Sequence, residues 1–121
     1  MFEWTITYLN DEDILVIKTK GAMRSTDSNE MVRAIVDAAA KHQCLKHLVD
    51  YREMEFEFRP MEYYERPSVV EKLGVTRAFR TAMVFRQLTK ETIFMETVFQ
   101  NRGYQFRHFT DILEAKAWLK G

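Results

Sequence analysis

The chain contains one cysteine, Cys44, so no internal disulfide can form, and a reducing compartment is expected. Its four glycines, Gly21, Gly74, Gly103 and Gly121, never cluster. A GxGxxG dinucleotide loop or a P-loop phosphate cradle is therefore excluded. The three histidines, His42, His47 and His108, show no HxxxH or HExxH spacing, and Cys44 has no CxxC partner. A structural metal site does not fit this inventory. Ser25, Ser28 and Ser68 are the only serines, and none occupies a GxSxG elbow. No apolar run exceeds four residues, far below the roughly 20 needed to span a bilayer. The first residues, MFEWTITYLNDED, lack the basic start and apolar core of a signal peptide. Charge of one sign is also missing, because 18 basic residues balance 18 acidic ones. Nothing global draws the chain to nucleic acid or an acidic membrane. A single cytoplasmic domain over residues 1–121, without cofactor, metal or membrane insertion, is expected.

What is present is ordinary globular patterning, with 46% apolar and 30% charged residues. Trp4, Ile6 and Tyr8 alternate with polar residues as in a half-exposed strand. A turn at Asn10–Asp13 leads to a second strand, Ile14–Lys20, which Gly21 is expected to end. Ser25, Thr26 and Asp27 offer N-caps, with Asp27 and Glu30 spaced as a capping box. Val32, Ile35, Val36 and Ala39 mark the apolar face of the first helix. A third strand is expected over Leu45–Tyr51, a fourth over Arg80–Arg86 and a fifth over Tyr104–Phe109. Pro60 and Gly74 bracket a helix that Pro67 should break into Met61–Glu65 and Ser68–Leu73. Thr89 caps a third long helix whose buried face is read as Phe94, Met95, Val98 and Phe99, with Gly103 closing it. Thr110 or Asp111 caps a last helix that docks through Ile112, Ala115, Trp118 and Leu119.

The order β-β-α-β-α-β-α-β-α predicts an α/β fold with a five-stranded mixed sheet. Polar residues interleave in the strands, so helices are expected largely on one face. The other face, left open or partly covered, suggests a homodimer.

The candidate site is the segment 50–67, DYREMEFEFRPMEYYERP, with five aromatics, three arginines and six carboxylates. It follows a strand, at the edge where open α/β sheets commonly bind ligands. It contains no Gly, Ser, Thr, Cys or His, so it can grip a partner but supplies no common nucleophile. Asp50 either orients a ligand or acts as a base, or it caps the following loop, which is the favoured reading. Phe56 and Phe58 are expected to plug the core. Tyr63, Tyr64 and Arg66 are suited to recognition because each joins apolar area to a polar handle. The competing and favoured assignment is an Arg–Glu network on a solvated face, with Arg52, Arg59 and Arg66 paired locally. Arg86, at the end of the fourth strand, is expected to join Arg52 or Arg66 in gripping an anion. Cys44 reads as a small buried side chain, and His108 as a partly exposed strand histidine.

Several stretches look familiar together: HLVDYREMEFEF, the YERP turn with a helix ending EKLGV, RTAMVF, and ETVFQNRGYQFRHFTDILEAKAWL. Over nearly its whole length the chain resembles the SpoIIAA-like (STAS/SEC14-type) bacterial domains. The ETxxxNRG helix end and the FTDxxEAxxWL ending are the more specific parts. The resemblance implies a small superhelix of β-α units with a mixed sheet and helices largely on one side. It also implies either a regulatory domain that binds a protein partner or a carrier of a small apolar ligand. Related anti-sigma-factor antagonists carry a phosphorylatable Ser after the third strand. Residues 51–67 here contain no Ser or Thr, and Arg59-Pro60 stand at the approximate equivalent. The leading expectation is thus a non-enzymatic binding or regulatory domain acting through Asp50, Arg52, Tyr63, Tyr64, Arg66 and Arg86. A small enzyme using Asp50 with Tyr63 or Tyr64 as acid and base is the remaining alternative.

Overall fold

The computed structural model describes residues 1–121. The elements follow the order anticipated from the sequence: β1 (Glu3–Leu9), β2 (Ile14–Met23), α1 (Ser25–His42), β3 (Lys46–Phe56), α2 (Pro60–Lys72), β4 (Arg80–Val84), α3 (Lys90–Asn101), β5 (Gln105–Phe109) and α4 (Ile112–Lys120). The sheet order is β1-β2-β3-β4-β5, with only the first pair antiparallel. Asn10–Asp13 makes the tight reversal that an antiparallel pair requires, whereas each parallel pair is linked through a helix.

Period-two alternation sorts the strand side chains onto two faces. Leu15, Ile17, Val49, Tyr51, Met83, Phe85 and Phe106 belong to the larger core, which α1, α2 and α3 cover. Ile14, Leu48, Ala82 and Val84 form a smaller core with Ala115 and Leu119 of α4. Three helices therefore lie on one face and one on the other. Two lysines of α4, Lys116 and Lys120, reach Glu12 in the β1–β2 turn at 3.1 and 3.4 Å and tie the helix to the hairpin. Arg80 donates to the Trp118 carbonyl and lies 3.8 Å above the Trp118 ring. A cation at that end of α4 also complements the helix dipole.

Several boundaries differ from the sequence expectation for physical reasons. Gly21 does not end β2, which continues to Met23 in parallel pairing with β3 after a register shift between Lys18 and Lys20. That pairing holds β3 extended to Phe56, so residues 52–56 are strand and not loop. Helix α1 begins at Ser25, and Asp27 acts from the third helical position by accepting the Arg24 backbone N–H at 3.0 Å. Pro67 does not divide α2, which runs unbroken from Pro60 to Lys72 with the proline buried inside it. Tertiary packing of the ring outweighs the one lost backbone hydrogen bond. Gly74 follows the helix at φ +109, where an added Cβ would also press Val36 at 3.0 Å.

Candidate functional site

The segment that begins at Asp50 is divided between the two faces of the sheet. Asp50 and Arg52, two apart on β3, point to the α4 face. The Asp50 carboxylate accepts Arg52 Nε at 3.0 Å and Nη2 at 2.9 Å, plus the Arg52 backbone N–H at 3.1 Å. Burial pushes the Asp50 carboxyl up, but the hydrogen bonds and charge of Arg52 outweigh it and hold the pKa below its ordinary value. The pair lies in a shallow groove with Lys18, Leu48, Ile112 and Lys116. Asp50 thus accepts a backbone N–H two residues on, though within a strand instead of a loop.

Tyr63 and Tyr64 lie across the sheet, in an open groove of about 690 Å³ between the start of α2 and the start of α3. Phe58, Pro60, Met61, Lys90, Glu91 and Phe94 complete it. Arg59 precedes Pro60 as the N-cap, and its backbone N–H donates to Glu62 at 2.7 Å. The other Glu62 oxygen accepts Ser25 Oγ at 2.6 Å, which fixes the first turn of α2 against α1. Tyr63 is buried, whereas Met61, Tyr64 and Phe94 are 62%, 54% and 45% exposed. Tyr64 and Phe94 stack with ring centroids 6.5 Å apart. Phe94 was expected to face the core; instead Thr92, Met95 and Phe99 take that side of α3. Phe56 and Phe58 pack against the larger core and against Tyr63, as anticipated.

Arg66 overturns the solvated-network assignment. It is only 4% exposed, and its guanidinium donates to Asn29 Oδ1 at 2.7 Å and Ser28 Oγ at 3.0 Å on α1. No carboxylate pairs with it, while Arg52 and Arg59 do pair locally, with Asp50 and Glu62. Burial lowers the Arg66 pKa from its ordinary value, against the opposing influence of Tyr51 and Glu62. Arg86 is exposed at the end of β4 and lines a cleft with Tyr51, Phe56, Tyr63, Glu55 and Glu91. The expected fork of Arg86 with Arg52 is not assembled, because Arg52 serves Asp50 on the opposite face.

The convergence required for acid–base catalysis is likewise missing, since Asp50 sits on the α4 face and both tyrosines sit beyond the other. His108 is not partly exposed but buried, with both ring nitrogens lacking a hydrogen-bond partner. Burial pushes its pKa down to about 4. Cys44 is buried as expected, and burial raises its pKa. The open part of the second sheet face carries exposed Glu3, Thr5, Thr7, Lys18 and Lys20, a polar surface. The homodimer expectation relied on that face, yet the larger exposed apolar area lies at the α2–α3 groove. Sequence reasoning missed Met61 and Phe94 as groove residues. The i, i+3 spacing of Met61 and Tyr64 on the first turn of α2 was the available signal.

No family model and no curated protein matches the chain. Its fold does match solved structures. An uncharacterized protein of the DUF3478 family with a SpoIIAA-like fold, from Shewanella loihica PV-4, aligns at 20% identity and TM-score 0.63, over 98% of this chain and 93% of that one. An anti-sigma factor antagonist from Mycobacterium paratuberculosis aligns at 11% identity and TM-score 0.69, over 100% and 96%. The Bacillus cell fate determinant SpoIIAA in its phosphorylated form aligns at 16% identity and TM-score 0.53, over 97% and 99%. The chain therefore has the SpoIIAA-like fold, in agreement with the sequence resemblance. No helix is long and apolar enough to cross a membrane.

Proposed function

We propose that this protein is a non-enzymatic regulatory or binding domain that engages a protein partner through the groove between α2 and α3. The observation that carries this reading is the cluster Met61, Tyr64 and Phe94, about half exposed and side by side on two helices. Leu88, just before α3, and Ile93, in its first turn, are further exposed apolar residues. Aromatic and methionine side chains gathered on a surface mark interaction sites more often than solvated faces. Tyr64 brings a phenol to the groove, and Lys90 and Glu91 supply polar edges. The absence of Ser and Thr from residues 51–67 argues that engagement is not controlled by phosphate at the start of α2. A carrier of a small apolar, lipid-like ligand is disfavoured, because the space beneath α2 is about 60 Å³, far below the roughly 300 Å³ of typical ligand pockets.

A photo-cross-linking amino acid placed at Tyr64 tests this in living cells, with the same probe at Thr7 on the polar face as control. Discrete adducts from position 64, lost when Phe94→Glu is added, are the expected result. An adduct of twice the monomer mass would identify the partner as a second copy of this chain. Equal capture from positions 64 and 7 would overturn the assignment of the groove.

A further inference from the structure

Under α2, the larger core contains a partly open cavity of about 60 Å³, and 15 of its 19 lining residues are hydrophobic. That volume is several times the roughly 10–15 Å³ that accommodates one water. Arg66 is the charged residue among those that line it. An arginine does not give up its proton in a protein, so this guanidinium remains cationic although it is 96% hidden from solvent and has no carboxylate partner. Ser28 and Asn29 satisfy some of its donors with neutral oxygens, and the Glu62 charge acts on it only from beyond ion-pair distance, so no carboxylate meets the guanidinium directly. The Phe58 ring, 5.5 Å from Cζ, adds only a weak attraction. Elsewhere in the chain, Arg24, Arg52, Arg59 and Arg77 each meet a carboxylate.

Tyr51 lies in the same cavity wall. Burial raises its pKa above the ordinary tyrosine value, and the nearby Arg66 charge only partly opposes this. Its phenol is therefore protonated at neutral pH and can donate a hydrogen bond. Met31, Met83 and Met95 line the apolar remainder, and methionine side chains adapt readily to the shape of a guest. A buried cation, a phenolic donor and a small adaptable apolar chamber together describe a receptor for an amphipathic anion.

We propose that this cavity binds a small monocarboxylate of roughly three to five non-hydrogen atoms, with its carboxylate on Arg66 and Tyr51 and its apolar body among the methionines. The bound carboxylate supplies the direct ion pair that Arg66 lacks. Tyr51 and Phe56 also line the outer cleft at Arg86 and pack with ring centroids 6.1 Å apart, so these two rings form the wall between cleft and cavity that must part for entry. Arg86 makes no ion pair and attracts the anion at that mouth, where Glu55 and Glu91 oppose it. Because Arg66 ties α2 to α1 and the groove begins at the first turn of α2, the ligand would sit directly beneath the proposed partner surface. The inference itself does not require that surface.

The test is a titration of the full chain, labelled with ¹³C at the methionine methyl groups, with sodium propionate. Propionamide and sodium chloride serve as the neutral and inorganic comparisons. Saturable shifts of Met31 and Met95 with propionate alone, without a shift of Met61 in the outer groove, are expected. Tyr51→Phe should weaken propionate binding about tenfold, the value of one hydrogen bond to a charged group. Arg66→Lys, which keeps the charge but loses the fork, should weaken it by a similar factor. If Arg66→Lys fails to fold, Val70→Phe fills the cavity from α2 and should abolish the shifts. Absence of shifts up to about 50 mM, a range that covers millimolar affinity, would overturn the proposal. So would equal shifts with propionamide or chloride. The readout is internal to the core, so its failure leaves the Tyr64 cross-linking result intact, and the reverse also holds.

Discussion

On the α4 face of the sheet, Asp50 and Arg52 meet as a partly exposed fork, and each charge is answered within two residues. On the other face, 14 residues further along the chain from Arg52, Arg66 is buried beneath α2 with no carboxylate in contact. The two cores differ in the same sense. Ile14, Leu48, Ala82, Val84, Ala115 and Leu119 are each at most 1% exposed and close-packed, while the larger aromatic core retains a cavity. The contrast teaches that a charge-rich segment need not form one site. Strand alternation sends positions 50 and 52 one way, and helix α2 carries position 66 the other way. Polar groups that are fully partnered hold the fold, and those left without a partner mark where further chemistry can occur.

The largest effect expected from this contrast is acid sensitivity confined to the helix-rich face. His108 lies there against Phe85, with ring centroids 4.9 Å apart. Burial depresses its pKa from 6.5 to about 4. As pH falls, the unfolded chain takes up this proton first, so stability is lost between about pH 6.5 and 4. The full shift corresponds to about 3 kcal/mol. His47, depressed by burial despite a ring contact with the Cys44 carbonyl, adds to the same slope. Asp50 acts with the same sign at lower pH: its lowered pKa contributes stability that is complete above the ordinary value of 3.8 and is lost as pH falls below it toward the folded value. Urea unfolding at pH 7, 5.5 and 4.5 should show His108→Leu losing much less stability than the parent over this range. Identical slopes would place the acid sensitivity elsewhere.

A smaller effect separates the packing of the two cores. Ala82→Leu on the tight α4 face should cost about 1–3 kcal/mol by overpacking. Val70→Ile, whose extra methylene enters the cavity, should fall within about 0.5 kcal/mol of the parent. Equal costs in paired urea titrations would erase the distinction. The smallest effect belongs to the surface fork. Arg52→Ala should cost about 0.5–1 kcal/mol, and less at high salt, because the Arg52 side chain is 46% exposed. A loss above 2 kcal/mol would mean that the fork is a core element.

Much of this architecture was legible from local patterns. The element order, the Asp111 and Thr89 caps and the docking face Ile112, Ala115, Trp118 and Leu119 followed from periodicity and end signals, which act within a few residues. The candidate site was less legible. That Pro60 opens a helix carrying Tyr63 and Tyr64 was readable from its end signals. The burial of Arg66 was not, because Ser28 and Asn29 are more than 35 residues away in sequence. The exposure of Phe94 was hidden for a related reason. Phe94 and Met95 suit a helical core equally well, and only the placement of α2 beside α3 decides which one turns inward.

By itself, the sequence determined an α/β fold with a five-stranded mixed sheet and an aromatic segment rich in charges of both signs. It did so because hydrophobic period, caps and turn residues are local properties. Tertiary structure alone decided that β2 and β3 extend together past Gly21, since each strand supplies the other's hydrogen bonds. It also decided that Pro67 stays inside a continuous helix, held by burial. Finally, it parted Asp50 from Arg66, because which face a side chain occupies depends on how distant elements stack. The same stacking left an arginine buried without an ion pair beside an apolar cavity.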